Sequence, residues 1–250
     1  MRRAGLIAAV LAGALALTGC GGPAEQNDAA APEIDVERYD PEHPGNGLWL
    51  VPQGEVIDQI TRATREAGAV RVEGSVTELV TPEEGDPFPG RSLSVSYVGT
   101  SGAMEATVRA GDVEARIVAV DGATYVTGNA RYASHVGTAE LADGWVCAAA
   151  PEALLAEWAP LLDPADLVET LLTGADAVSV MEPPAEADQT TVYLGSGDAP
   201  EGRMTVSAVG APLPHQFIAG DGTGDGEFTF TDWGVEPKLA EPGPIVTPCD

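Results

Sequence analysis

The chain has 250 residues, of which 39 are Asp or Glu and 12 are Lys or Arg, for a formal net charge of −27. A surface of that sign repels nucleic-acid phosphates and anionic lipid faces alike, which excludes nucleic-acid binding and requires any membrane attachment to rest on something other than charge. Lys238 is the sole lysine and aromatic residues make up 5% of the chain, a compositional bias with no chemistry attached to it.

The N-terminus supplies the attachment. Arg2 and Arg3 precede an apolar run from Ala4 to Leu17, broken only by glycines, and the run ends in Leu17-Thr18-Gly19-Cys20. A short cationic start, an apolar core and small residues before the cysteine make a secretory leader rather than a membrane span. The last four residues resemble the lipobox of bacterial lipoproteins, and that resemblance implies that residues 1–19 are a signal peptide and that Cys20 is lipidated at sulfur and becomes the new N-terminus. The acyl chains would then be the membrane anchor, each buried methylene contributing about 0.8 kcal/mol. The mature protein is expected on the extracytoplasmic face of the cell membrane. Loss of residues 1–19 removes two basic and no acidic residues, so the mature chain is more acidic still.

Residues 20–51 are rich in Pro, Gly, Ala and acids without periodicity, and read as the lipidated Cys followed by a flexible acidic tether. About thirty such residues have an r.m.s. span near ~30 Å. Within the tether His43, between Glu42 and Pro44, reads as solvated rather than as a ligand, whereas the apolar island Leu48-Trp49-Leu50-Val51 is expected to dock on the folded body.

Residues 52–250 read as one domain with an extended C-terminal tail. Val56, Ile60, Ala63 and Ala67 recur at helical spacing, and Gly68 is placed to end that helix. The period then changes to two: Val70/Val72/Val76, Leu93/Val95/Tyr97, Met104/Ala106/Val108 and Val113/Ala115/Ile117/Ala119 alternate with polar residues as half-buried strands do. Asp121-Gly122 is a two-residue hairpin signal, since both central residues of a type I′ turn need positive φ. Short connections at 100–102 and 110–112 make the strands a meander, with Pro82 to Gly90 expected as a loop outside the sheet. Leu154, Leu155, Trp158, Leu161 and Leu162 form the stripe of a further helix, and Asp163-Pro164 supplies the N-cap and first position of another, carrying Leu167, Leu171 and Leu172 up to Gly174. Strands resume at 178–180, 190–194, 204–209, 216–219 and 228–231, for about ten in all. One antiparallel sheet whose apolar face is covered by helices is an α+β domain.

At this level the chain resembles the actinobacterial LppX/LprG-type lipoproteins, related in fold to the periplasmic carrier LolA. The resemblance rests on the N-terminal helix, the strand Val70-Arg71-Val72-Glu73-Gly74-Ser75-Val76, the hairpin from Val118 to Val126, Asp143-Gly144-Trp145, the helix pair, and Phe228 to Gly234. It spans about residues 52–235 and implies a curved antiparallel sheet, a half-barrel, with helices packed on its concave face and, in several members, a cavity for acyl chains. Cys147, Cys249 and the long acidic tether depart from the pattern.

With Cys20 taken by lipid, Cys147 and Cys249 are an even pair in an oxidising compartment and are expected to form a disulfide. No catalytic signature is present. The chain lacks Gly-x-Ser-x-Gly, His-Glu-x-x-His and a phosphate-binding Gly loop followed by Lys, so no enzyme activity, cofactor or metal is expected. Ser134-His135 reads as a pair on a strand, whose side chains point to opposite faces, and His215 reads as a polar edge residue. Asp221, Thr223, Asp225 and Gly226, with Asp232, partly match a calcium loop, but Asp232 stands where a bidentate Glu belongs, and a Gly-rich hairpin turn is the preferred reading.

Two functions fit these features. In one, acyl lipid or lipoglycan fills a hydrophobic cavity between sheet and helices, lined by Val56, Ile60, Leu93, Val95, Tyr97, Ile117, Leu154, Trp158, Leu167 and Leu171. In the other, the same positions form a packed core, and the chain is a non-catalytic cell-envelope module that binds a protein partner.

Overall fold

In a computed structural model of the chain, the residues described are 45–80, 88–196, 199–219 and 226–249. The leader, Cys20, His43, residues 81–87 and the Asp221, Thr223 and Asp225 positions of the acidic cluster lie outside them.

The apolar island comes first. Leu48–Leu50 form a 3-10 turn whose Leu48 is fully buried. Asn46 fixes the turn to the body, donating its backbone N–H to the Ala208 carbonyl and its side-chain Nδ2 to the Ser207 carbonyl, each at 2.7 Å. Helix α1, Gln53–Glu66, follows with Val56, Ile60 and Ala63 buried along one stripe. Gly68 then takes φ 79°, a left-handed conformation that turns the chain into the sheet.

Five strands run as the expected meander: β1 Val70–Val80, β2 Phe88–Thr100, β3 Ala103–Ala110, β4 Val113–Val120 and β5 Ala123–Gly128. At the β4–β5 turn Asp121 and Gly122 have φ 53° and 80°, as the hairpin signal requires. Phe88, Pro89 and Gly90 belong to β2 rather than to a loop. Phe88 pairs with Val80 and Pro89 with Leu79, beyond a register shift after Thr77, so the hairpin is longer than its prolines suggest.

Helix α2, Ala130–Val136, then replaces the strand expected around Ser134-His135. Asn129 caps it by accepting from the Tyr132 N–H at 2.9 Å, and Gly137 closes it at φ 75°. The short strand β6, Trp145–Cys147, leads to a helical stretch that three prolines divide. Pro151 opens α3, Pro151–Leu155, a 3-10 turn spans Ala156–Trp158, Pro160 stands near the start of α4, Ala159–Leu162, and Pro164 opens α5, Pro164–Thr173. Pro160 cannot donate to the carbonyl four residues back, which disfavours one regular helix here.

The second meander comprises β7 Ala177–Val180, β8 Gln189–Ser196, β9 Ala199–Ser207, β10 Pro214–Ala219 and β11 Gly226–Thr231. β11 pairs antiparallel with β1 and thereby joins the two meanders. The tail ends in β12, Ile245–Thr247, which lies parallel to β6. The result is one open twelve-stranded sheet, antiparallel except at that edge, in the order β12-β6-β5-β4-β3-β2-β1-β11-β10-β9-β8-β7. With the helices it makes the α+β architecture expected.

Alternate side chains of both meanders join α1, α2, α5 and the divided helical stretch in one apolar core. Each large side chain buried there contributes about 1.5–3 kcal/mol. Two glycines of β1 and β2 are fixed by close approach: a Cβ on Gly74 would lie 2.3 Å from Phe228 Cδ1, and one on Gly99, at φ 132°, would lie 2.1 Å from the Ala103 carbonyl oxygen. The opposite face carries a small cluster of Val118, Tyr125 and Trp145, over which Ile245 and Cys147 pack. Arg116 stacks its guanidinium 5.3 Å from the Trp145 ring.

Candidate functional site

The sheet's apolar face and the helices over it converge on Tyr97. On β2, Tyr97 pairs with Val72 of β1 and Ala106 of β3, so its ring rises between two smaller neighbours. It is 1% exposed, and its hydroxyl has no hydrogen-bond partner among the described residues. Burial, and then the nearby carboxylate of Asp163, raise its pKa, which keeps the phenol protonated. Asp163 itself caps α5, accepting from the Ala165 and Asp166 N–H groups at 2.9 and 3.1 Å.

Trp158 reaches the same core from the divided helical stretch. It is 2% exposed, its indole N–H also lacks a partner among the described residues, and its ring stacks on Tyr132 of α2 at 5.1 Å between centroids. The Tyr132 hydroxyl donates to the Leu154 carbonyl at 3.0 Å, and burial followed by the charge of Glu157 pushes its pKa up to about 12. At the rim Glu157 accepts from Arg91 of β2 and faces His135 Nε2 at 3.0 Å. The Arg91 hydrogen bond, with help from His135 and against partial burial, holds the Glu157 carboxyl below the usual range.

This stretch, residues 151–162, is a weakly built cover. Leu155 and Trp158 interrupt it at φ −111° and −115° with ψ near zero, and Ala150, Leu155 and Trp158 cap its pieces without a side-chain hydrogen bond. Helices this short do not hold themselves together, so Leu155, Trp158 and Leu162 keep the cover in place by burial.

The ten residues expected to line a cavity divide as follows. Val56, Ile60, Val95, Tyr97, Ile117, Trp158 and Leu167 are buried members of the core; Leu154 and Leu171 are half-buried against it; Leu93 is half-buried near the start of β2. All but Leu93 belong to that core or pack against it. One concavity, of about 720 Å³, is an open groove away from these residues, between α1, the 211–213 loop and Trp233. A smaller one of about 220 Å³ reaches the outer side of Trp158 between α2 and the cover.

The remaining polar candidates are accounted for. Ser134 and His135 lie on α2, and His135 faces Glu157 rather than a nucleophile. His215 is no edge residue, since β10 is paired on both sides; it is half-buried, meets Ser207 Oγ at 2.9 Å, and burial lowers its pKa. Cys147 and Cys249 are joined, with their Cα atoms 5.1 Å apart. Among the described residues no group of His, Cys, Asp and Glu is arranged to hold a metal, and no helix is long and apolar enough to cross a membrane.

No family model matches this sequence, and no curated protein matches it. Solved structures do match. The chain is similar to LprF from Mycobacterium bovis, at 12% identity and a TM-score of 0.41, over 77% of this chain and 97% of that one. The α2 helix and the Arg91–Glu157–His135 cluster were missed in the sequence, although Asn129 and Gly137 frame that helix with ordinary cap signals.

Proposed function

We propose that the chain is a lipoprotein anchored through Cys20 on the extracytoplasmic face of the cell membrane, and that it binds acyl lipid or lipoglycan between its sheet and the cover 151–162. The observation that carries this reading is the construction of the cover: an apolar wall over an apolar sheet face, cut by Pro151, Pro160 and Pro164 into pieces that depend on their burial. Acyl chains entering beneath it would take over the contacts of Leu155, Trp158 and Leu162, each methylene contributing about 0.8 kcal/mol. Leu93, Leu154 and Leu171, half-buried around that layer, would line the path of the chains. Transport or presentation of the lipid follows from tethering such a domain to the membrane.

The packed state of the core favours a second reading, that of an envelope module whose acidic surface meets a protein partner. Native mass spectrometry of the protein purified from its own membrane separates the two. Additional mass that organic extraction removes, and that corresponds to an acylated compound, supports lipid binding; a chain carrying only its anchor supports the interaction module.

A further inference from the structure

Resting on the lipid-binding reading, we infer that the interior engages its cargo through a neutral carbonyl, an acyl ester or amide, and discriminates against a free fatty carboxylate, with the Tyr97 hydroxyl and the Trp158 indole N–H as the two donors.

Both groups are almost completely removed from solvent and both lack a partner among the described residues. An indole nitrogen can only donate, and a phenol held protonated by burial is a ready donor as well. A buried donor left unsatisfied is costly, so the interior is arranged to reward an acceptor that arrives with apolar chains attached.

The charge of that acceptor follows from the surroundings. Among the described residues the buried polar ones are Thr61, Thr64 and Thr190, and no Lys, Arg or His is buried with them. Asp163 stands close enough to Tyr97 to raise its pKa, and Glu157 does the same to Tyr132, on which Trp158 stacks. At the rim the Arg91 guanidinium already meets the Glu157 carboxylate, which His135 Nε2 also faces. A fatty carboxylate would enter a layer with no buried counter-charge and two carboxylates nearby, whereas an ester carbonyl brings no charge to desolvate.

The test compares methyl oleate, dioleoylglycerol and oleate at pH 7 with the purified full chain, by native mass spectrometry after detergent washing. The expected result is binding of methyl oleate and dioleoylglycerol at least about ten-fold tighter than oleate, which is the smallest penalty an uncompensated charge should impose. Tyr97→Phe, which keeps ring volume, should weaken methyl oleate binding about five-fold while leaving thermal stability unchanged or slightly higher, because it removes an orphaned buried donor; Trp158→Phe removes the indole N–H together with part of the ring, so it should weaken binding about as much at some cost in stability. At Tyr97 a purely structural role would move stability and binding down together. Equal binding of oleate and methyl oleate, or ester binding untouched in both variants, overturns this inference and leaves lipid binding standing. If none of the three lipids binds, the lipid-binding reading falls and the inference falls with it.

Discussion

Breaking the bond between Cys147 and Cys249 is a perturbation whose size can be worked from the fold. The bond closes a segment with a sequence separation of 102. In the chain-entropy model a loop of about 100 residues gives a ceiling near ~4.7 kcal/mol. The realised loss is smaller, because the released tail gains freedom in the folded state too. What else holds it is slight: the three-residue strand β12 beside β6, the Trp145 N–H on the Pro244 carbonyl at 3.0 Å, and Ile245 over the Val118–Tyr125–Trp145 cluster. A loss of about 2–4 kcal/mol follows, or about 4–16 °C in Tm for a domain of this size. Thermal unfolding with and without reductant, and of the Cys147→Ser/Cys249→Ser double variant, measures it. Departure of the tail should also uncover Trp145, now 7% exposed, and shift its fluorescence to the red. Two titratable thiols in the unreduced, unfolded chain, or a Tm indifferent to reductant, would refute the reasoning.

Gly74→Ala should cost about 1–3 kcal/mol toward the upper end, since its Cβ would meet the Phe228 ring at 2.3 Å and the Glu227 carbonyl at 2.5 Å, while Gly102→Ala, with nothing within 4 Å, should stay within about 0.5 kcal/mol by denaturant melts. The Glu157 carboxyl is depressed in the folded chain, so its contribution is present above the unfolded value near ~4.3 and is lost as pH falls through the lower folded one. Glu157→Gln should therefore flatten the acid limb of a stability profile, modestly, because the side chain is 40% exposed. His215 is a base with a lowered folded value, so the folded state is penalised as pH drops below about 6.5, and His215→Gln should remove that slope between the folded value and about 6.5. Ala106→Trp, placed between Tyr97 and Ile117 on adjacent strands, should abolish lipid co-purification with the circular dichroism retained, at about 1–3 kcal/mol of overpacking; unchanged lipid content would count against the proposed layer.

Local chemistry made much of this fold legible. Asp121-Gly122 sits where two positive φ angles are needed, Asp163-Pro164 starts α5, and the period-two runs of β2, β3 and β4 fall on the covered face of strands that pair in sequence order. What escaped notice depends on partners distant in sequence. Phe88 and Pro89 are strand residues because Val80 and Leu79 pair with them, against the turn propensity of their surroundings. Ser134-His135 reads as a pair on a strand, yet Tyr132 and Ala133 bury the face of a helix capped at both ends. For the candidate site the types of residue were readable, but not their satisfaction: whether Tyr97 and Trp158 find a hydrogen-bond partner is decided by the packing of β2 against the cover, which no spacing encodes.

The central claim is that acyl chains lie between the sheet and the cover, and photocrosslinking tests it most directly. A diacyl lipid carrying a diazirine along one chain would be loaded into the full chain, illuminated and mapped by peptide mass spectrometry. Adducts concentrated on the inward residues Tyr97, Ala106 and Ile117 and on Leu155, Trp158 and Leu162 are the result expected from their place in the core. Labelling confined to the open groove at Trp233 and α1, or spread over the exposed surface, would contradict it.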